Sequence, residues 1–423
     1  MKGPTPPSGC RSPPRPSQLT ISTRIPMSDF DLRSQLAHLP ARLRERLDAT
    51  GFDPQRLVEL AAALSARSSA GATADSAQCD ERNRVRGRVD PPGQGEVPDA
   101  PQPGTPEHER HARQGLEAIG RGELALCVMA GGMATRMGGV VKALVEAVEH
   151  LTFLDLRLNE NAQWSRRAAM PVPLWLMTSE ATDAPIREAL VRRAAPPHVA
   201  TFTQDLGLRL TPQGQLFLEE DGQPSPYAPG HGDLPDAIRR SGLLSSFLAR
   251  GGKTVWIANL DNLGATIDPA LLGYFLQAGS DVLVEVAPKV EGDRGGIPVW
   301  ADAQDADGST VRRLQVLEEF RLPKAFDASA VRVFNTNTFL IRAQALANTR
   351  VRWSWFEVEK KVGGRTAVQF ERLLQELTAA MPAAYIRVPR DGIHSRFLPV
   401  KDHAELEKRR GEIRAIASAR GML

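Results

Sequence analysis

From Leu124 onward the chain alternates short apolar runs with segments of helical spacing. The runs are LALCVM (124–129), PLWLMTS (173–179), VATFT (199–203), TVWIA (254–258) and DVLVEVA (281–287). Helical patterns fall around 152–164, 182–194, 233–249 and 268–277. Strands that are apolar throughout are buried on both faces, and crossover helices between them predict an α/β fold with a mainly parallel central sheet covered on both sides. Ligands of such sheets sit at the carboxyl ends of the strands. Polar motifs at those ends are therefore the first place to look for function.

Upstream the pattern changes. Residues 1–26 are rich in Pro and Ser and carry too little apolar surface to order themselves, which predicts a disordered N-terminus with Met27 as a second possible start. Residues 27–67 read as a small helical extension: Leu32, Leu36 and Leu39 are spaced by four and three, and Pro54 opens a helix through Leu57, Leu60 and Leu64. Residues 68–104 are dominated by Gly, Pro and charged side chains and predict a flexible linker, leaving 105–423 as the catalytic domain. Thr105-Pro106-Glu107 has the chemistry of a helix start, and that helix should end near Gly120. His108 and His111 lack the HExxH arrangement of a metal pair, so both are expected on a solvated helix surface.

Composition narrows the function. The chain has 423 residues, with 53 Lys and Arg against 50 Asp and Glu, so no field of one sign points to nucleic acid or an anionic membrane. Three cysteines at Cys10, Cys79 and Cys127 form neither a disulfide framework nor a zinc set, and no apolar run reaches the length of a membrane span. A protein of the reducing cytoplasm is expected, and a small anionic ligand remains compatible with the charge balance.

Five polar motifs follow the apolar runs. After LALCVM comes AGGMATRMGGVVK, in which Gly131 and Gly132 allow backbone N–H groups close to a ligand and Lys142 offers a point charge. It matches neither the GxxxxGK[ST] nor the GxGxxG pattern. YAPGHGD (227–233) places His231 between two glycines. In IANLDNLGATIDP a buried strand runs into Asn259, Asp261 and Asn262, and a carboxylate there suits Mg²⁺ carried by a nucleotide phosphate. In VFNTNTFLI, Asn335 and Asn337 lie two apart in an extended segment and should share one face. SRFLPVKD puts Lys401 between an apolar run and a helix.

Taken with LTFLDL (151–156), SGLL (241–244) and EVAPKVEGDRGG (285–296), these motifs in this order resemble the UTP–glucose-1-phosphate uridylyltransferases over roughly residues 109–402. The resemblance implies a Rossmann-like nucleotidyltransferase fold that transfers a uridylyl group from UTP to glucose 1-phosphate with Mg²⁺ as cofactor and releases pyrophosphate. By position it implies nucleotide contacts from Met129, Gly131, Gly132, Thr135, Met177, Gln204, Gly230 and His231. It implies Arg136, Lys142 and Lys401 as the cations at the phosphates, Asp261 as the metal ligand, and sugar contacts from Asn259, Gly296, Glu318, Asn335 and Asn337. Ala134 stands where the family commonly has glycine, and the loop to Lys142 is one residue shorter than in eukaryotic members. No C-terminal β-helix domain is expected, and with it a monomer. The rival readings are a broad-specificity UDP-sugar pyrophosphorylase and a non-catalytic nucleotide-sugar binding protein.

Overall fold

A computed structural model describes residues 1, 32–69, 81–134, 137–293, 295–305 and 307–423. Residues 2–26 of the stretch expected to be disordered, residues 27–31 of the expected extension, and Thr135 and Arg136 lie outside the described residues.

The apolar runs form a seven-stranded sheet. Its strands are β1 (Leu124–Met129), β2 (Leu174–Thr178), β3 (Val199–Thr203), β4 (Thr254–Asn259), β5 (Val282–Pro288), β6 (Val333–Arg342) and β7 (Ala383–Arg387), in the order β7-β5-β6-β4-β1-β2-β3. Only β6 runs against its neighbours; the pairs β4–β1, β1–β2, β2–β3 and β5–β7 are parallel. Successive residues of a strand face opposite sides. In β1, Leu124, Leu126 and Val128 enter one core, while Ala125 and Cys127 enter the other. That double burial explains the unbroken apolar runs.

The N-terminal extension forms three helices, α1 (Leu32–Ala37), α2 (Ala41–Ala49) and α3 (Pro54–Ser69). Leu47, Leu57 and Leu64 bury themselves against Leu208, Leu210 and Phe370 of the body. Next, Thr105 caps helix α4 (Pro106–Gly120), its side-chain oxygen accepting from the His108 N–H, as the sequence requires. The sheet is covered by α5 (Phe153–Ala168), α6 (Glu180–Arg192), α7 (Leu234–Arg240), α8 (Leu243–Ala249), α9 (Pro269–Gln277) and α10 (His403–Ala419).

Several expectations are corrected. The single helix foreseen over 233–249 is broken between α7 and α8, where Gly242 takes φ 76°, a left-handed turn that glycine enters without penalty. Residues 81–104 are not a free linker. Asp90 bridges Trp300, and Arg387 at the end of β7 bonds both Pro98 O and the Ala100 N–H, at 2.7 and 2.9 Å. Backbone pairing to exposed strand edges holds this segment, so it needs few apolar side chains. His111 is buried, edge-on to Tyr274 at 5.7 Å, because α4 and α9 cross closely: a side chain at Gly273 would collide with the His111 carbonyl and one at Gly115 with that of Pro269.

Candidate active site

The glycine loop leaves β1 at the sheet's carboxyl edge. Met129, the last residue of β1, pairs directly with Asn259 of β4 and Met177 of β2, so three of the expected residues stand side by side. Gly131 lies against Gln204: a Cβ at Gly131 would come within 2.6 Å of Gln204 Oε1, so glycine lets that buried amide approach the loop. Gly132 faces open space. The chain then doubles back through a two-residue ribbon in which Met133 pairs with Val141, returning Lys142 to within hydrogen-bond reach of the Gly132 carbonyl at 3.3 Å. Met177 is 1% exposed and lies in the core with Trp175 and Phe202. It sits beneath the loop, where its carbonyl accepts from the Ala130 N–H, and presents no side-chain surface to a ligand.

Lys142 and Asp261 meet: Nζ lies 2.5 Å from Oδ2, with both side chains less than a fifth exposed. The Asp261 turn is fixed from below by Arg157, a fully buried residue of α5. Its guanidinium donates to the carbonyls of Asn259, Asn262 and Ala265 at 2.7 to 3.0 Å and pairs with Glu160. Asn262 carries the constraint onward, donating to Arg396 O and accepting from the Leu398 N–H. The segment leading to Lys401 is thus tied to the Asp261 turn. Lys401 itself is exposed, with its N–H donating to Glu405. Burial pulls the nearby Asp293 carboxyl upward, but Arg390 holds it below its ordinary range, with the Val290 N–H and, least of all, the Lys401 charge adding to the lowering. Mg²⁺ takes one or two carboxylates together with phosphate oxygens. The single carboxylate of Asp261 fits a metal arriving with a nucleotide, and among the described residues no group of three His, Cys, Asp or Glu side chains forms a protein-only cage.

The PGHGD loop lies on the residues after the strand Arg365–Glu371. Gly230, at φ 105°, and Gly232 both lie against the main chain of Arg372, which would meet any side chain at either position. His231 Nδ1 accepts from the Leu374 N–H at 2.9 Å, so its neutral ring carries the proton on Nε2. Burial pushes its pKa down to about 4, so it is a neutral donor at physiological pH. Below it, Arg372 binds Asp205, Asp233 and Asp236. Burial drives Asp233 up to about 7, with the Asp205 charge adding to the rise and Arg372 opposing it.

Of the residues expected to contact sugar, Gly296 and Glu318 face each other across a two-stranded ribbon (Gly296–Gln304 with Thr310–Glu318). Gln375 Nε2 donates to Glu318 Oε1. Burial, and then the charge of Glu319, raises the pKa of Glu318. The two asparagines of β6 converge, but not by plain alternation along a strand. Val286 pairs with Asn335 while Glu285 pairs with Thr338, so residues 336 and 337 bulge out and Asn337 takes φ 60°. Asn335 Oδ1 accepts from the Asn337 N–H, and Asn337 Nδ2 donates to Asn259 Oδ1 at 3.1 Å. Asn337 Oδ1 is buried with no partner.

Sequence reasoning missed Arg157, Asn262's role as a tie, Arg372 and Gln375. Only Arg157 had a signal, as a charge following LTFLDL within an apolar helix face.

A mainly parallel sheet carrying a glycine loop and a carboxylate turn on adjacent strand ends defines a protein of the nucleotidyltransferase fold. A model of the UTP–glucose-1-phosphate uridylyltransferase family matches residues 82–411, and the chain belongs to that family. It is 31% identical over 306 residues to the UTP–glucose-1-phosphate uridylyltransferase of Saccharomyces cerevisiae, covering 67% of this chain and 58% of that protein. The chain thus spans less than two thirds of that relative's length. Among solved structures, UDP-glucose phosphorylase from Trypanosoma brucei shares the fold at TM-score 0.66 and 23% identity, over 86% of this chain and 77% of that one. The L281D mutant of UDP-glucose pyrophosphorylase from Leishmania major in complex with UDP-glucose aligns at TM-score 0.60 and 25% identity, over 77% and 71% of the two chains.

No helix among the described residues is long and apolar enough to cross a membrane.

Proposed function

We propose that the chain transfers the uridylyl group of UTP to glucose 1-phosphate, forming UDP-glucose and pyrophosphate. The observation that carries this reading is the meeting of Lys142 and Asp261 above the glycine loop, on the ends of adjacent parallel strands. An oxygen of the sugar phosphate attacks the α-phosphorus in line, the bond to the bridging oxygen breaks, and pyrophosphate leaves with the electron pair. The obstacle is repulsion between anions, and no covalent protein nucleophile is needed. Mg²⁺ held by Asp261 and the nucleotide phosphates would neutralise charge there.

The chain's own groups do the rest. Lys142, freed from Asp261 by a phosphate, supplies a cation beside the α-phosphate, and Lys401 supplies another from the loop tied to the Asp261 turn. Gly131 and Gly132 bring backbone N–H groups to the nucleotide, and Gln204 offers its amide to the base. His231 donates through Nε2. Asn337 Oδ1, Asn335 and Glu318 accept sugar hydroxyls. Pyrophosphate release from UTP, measured over a panel of sugar 1-phosphates with and without Mg²⁺, tests the reading. Activity with glucose 1-phosphate that depends on Mg²⁺ supports it, and no release with any sugar sinks it.

A further inference from the structure

Glu318 ends its strand of the ribbon, and its carboxylate lies over Gly296, where a Cβ would come within 3.1 Å of Oε1. A glutamate side chain left to itself samples several rotamers. This one is held. Gln375, 3% exposed, donates through Nε2 to Glu318 Oε1, and because an ionised carboxylate only accepts, that bond also fixes which way the amide points. The other end of the amide, Gln375 Oε1, is buried with no partner.

The main chain of Gln375 is tied to the same ribbon. Thr378 Oγ1 donates to Gln375 O at 2.7 Å and accepts, at 2.9 Å, from the N–H of Val316, two residues before Glu318. Glu376 is anchored separately, its Oε1 accepting from the Ser354 N–H at 3.2 Å and lying 3.6 Å from Arg321. One residue before Gln375, the Leu374 N–H donates to His231 Nδ1. The turn 374–376 thus reaches the PGHGD loop through its backbone and Glu318 through one side chain.

For the fold alone this amide is a poor choice. A buried group that makes one hydrogen bond and leaves an acceptor orphaned returns little stability, and an apolar side chain of the same length would fill the space as well. What only the amide supplies is a fixed carboxylate. We propose that Gln375 is a positioning residue, which holds the Glu318 carboxylate in the orientation that accepts a sugar hydroxyl and so sets how tightly the sugar is bound without touching it. This rests on the uridylyl-transfer reading, in which Glu318 faces the sugar. The tie to His231 runs through a backbone N–H, so a change of the Gln375 side chain leaves the nucleotide loop in place.

Steady-state kinetics and urea denaturation of the full chain and of Gln375→Leu, Glu318→Ala and the two combined provide the test. Expected for Gln375→Leu is a KM for glucose 1-phosphate raised about tenfold, with the KM for UTP and the urea midpoint close to those of the wild type. In the Glu318→Ala background the same change should add less than about twofold, because Gln375 acts only through that carboxylate. Gln375→Met, with another unbranched apolar side chain, should behave as Gln375→Leu does. An equal rise in both KM values, an unshifted KM for glucose 1-phosphate, additive effects in the double variant, or loss of folding in both Gln375→Leu and Gln375→Met each overturns the proposal. Calorimetry with UDP-glucose and with UDP needs no turnover: Gln375→Leu should weaken the first and leave the second unchanged. That result in a chain that releases no pyrophosphate with any sugar defeats the uridylyl-transfer reading and leaves the positioning role standing. Pyrophosphate release together with equal weakening of both ligands, or of neither, does the reverse.

Discussion

Lys142 Nζ lies 2.5 Å from Asp261 Oδ2, so the loop after β1 is joined to the turn after β4 by one ion pair across the sheet's carboxyl edge. The pair holds each group where a triphosphate and its metal would need it. In the proposed reaction a phosphate would compete for the lysine and Mg²⁺ for the carboxylate, each exchange replacing one opposite charge with another. A single placed charge of this sort contributes about 3 kcal/mol to a transition state, or roughly a hundredfold in rate. Lys142→Met and Asp261→Asn are each expected to lower kcat for pyrophosphate release by about that factor or more. Asp261→Asn alone should also raise the Mg²⁺ concentration for half-maximal rate. Near-normal turnover in either folded variant removes that residue from the mechanism.

Asn337 leads to a separate test of the proposed sugar contacts. Its Oδ1 is buried with no partner, while its Nδ2 is held by Asn259. An unpaired buried acceptor costs about 1–3 kcal/mol, a cost that a ligand hydroxyl relieves. Asn337→Ala should raise KM for glucose 1-phosphate about tenfold or more and leave KM for UTP nearly unchanged. Equal effects on both substrates would place Asn337 in scaffolding instead.

What the sequence made legible follows from periodicity. β1 and helix α4 match their expected bounds because continuous burial and a Thr-Pro start leave plain marks in one stretch of chain, and β3, an edge strand buried only at Phe202, matches its bounds as well. The strap at 81–104 was not legible: its order comes in large part from backbone bonds to Trp300, Arg321 and Arg387, which leave no apolar signature, with Val85, Val89 and Val97 packing on the core. The bulge that turns Asn337 toward Asn259 is set by the register of β5 against β6, a long-range property. Arg372 and Gln375 gain meaning only when the PGHGD loop and Glu318 are brought against them.

Gly132 of the loop after β1 and Gly232 of the PGHGD loop should respond differently. A Cβ at Gly232 would lie 2.5 Å from the main-chain carbon of Arg372, and backbone cannot swing aside as a side chain can. Gly232→Ala should cost about 1–3 kcal/mol or more of folding stability. Gly132 has nothing within 4 Å, so Gly132→Ala should leave the stability of the ligand-free protein within about 0.5 kcal/mol. Urea denaturation of the two variants side by side decides it, and equal losses would contradict the close approach.

Arg372 compensates carboxylates that water does not reach. Asp233 is 0% exposed and shares this guanidinium with Asp205. Removing one partner of a buried pair costs about 3–5 kcal/mol because the other is left uncompensated. Arg372→Met should lose stability on that scale, whereas Arg372→Met combined with Asp233→Asn should recover part of it. A double variant no more stable than the single one would show that the carboxylate is not the source of the loss.

His231 sets the pH dependence. Its pKa falls from the ordinary 6.5 to about 4 in the fold, because burial disfavours the charged ring and Nδ1 is already accepting from Leu374. The unfolded chain therefore takes up a proton between these values while the folded chain does not. Stability from this group is complete above about pH 6.5 and falls as the pH drops toward 4. At about 1.4 kcal/mol per unit the loss reaches at most about 3 kcal/mol, less for a ring that is only partly buried. The stability difference between wild type and His231→Gln, followed by urea denaturation from pH 8 to 4, should be flat at the alkaline end and move against the wild type below about pH 6.5. Nucleotide affinity should follow a different course, since Nε2–H donates from the neutral and the charged ring alike. Charging, which waits until about pH 4, instead turns Nδ1 into a donor and breaks its bond from the Leu374 N–H, so the loop and its contribution should survive well below the point at which an ordinary histidine charges. A difference curve without slope below pH 6.5, or a loss of affinity centred near 6.5, would show that the ring is solvated and titrates freely.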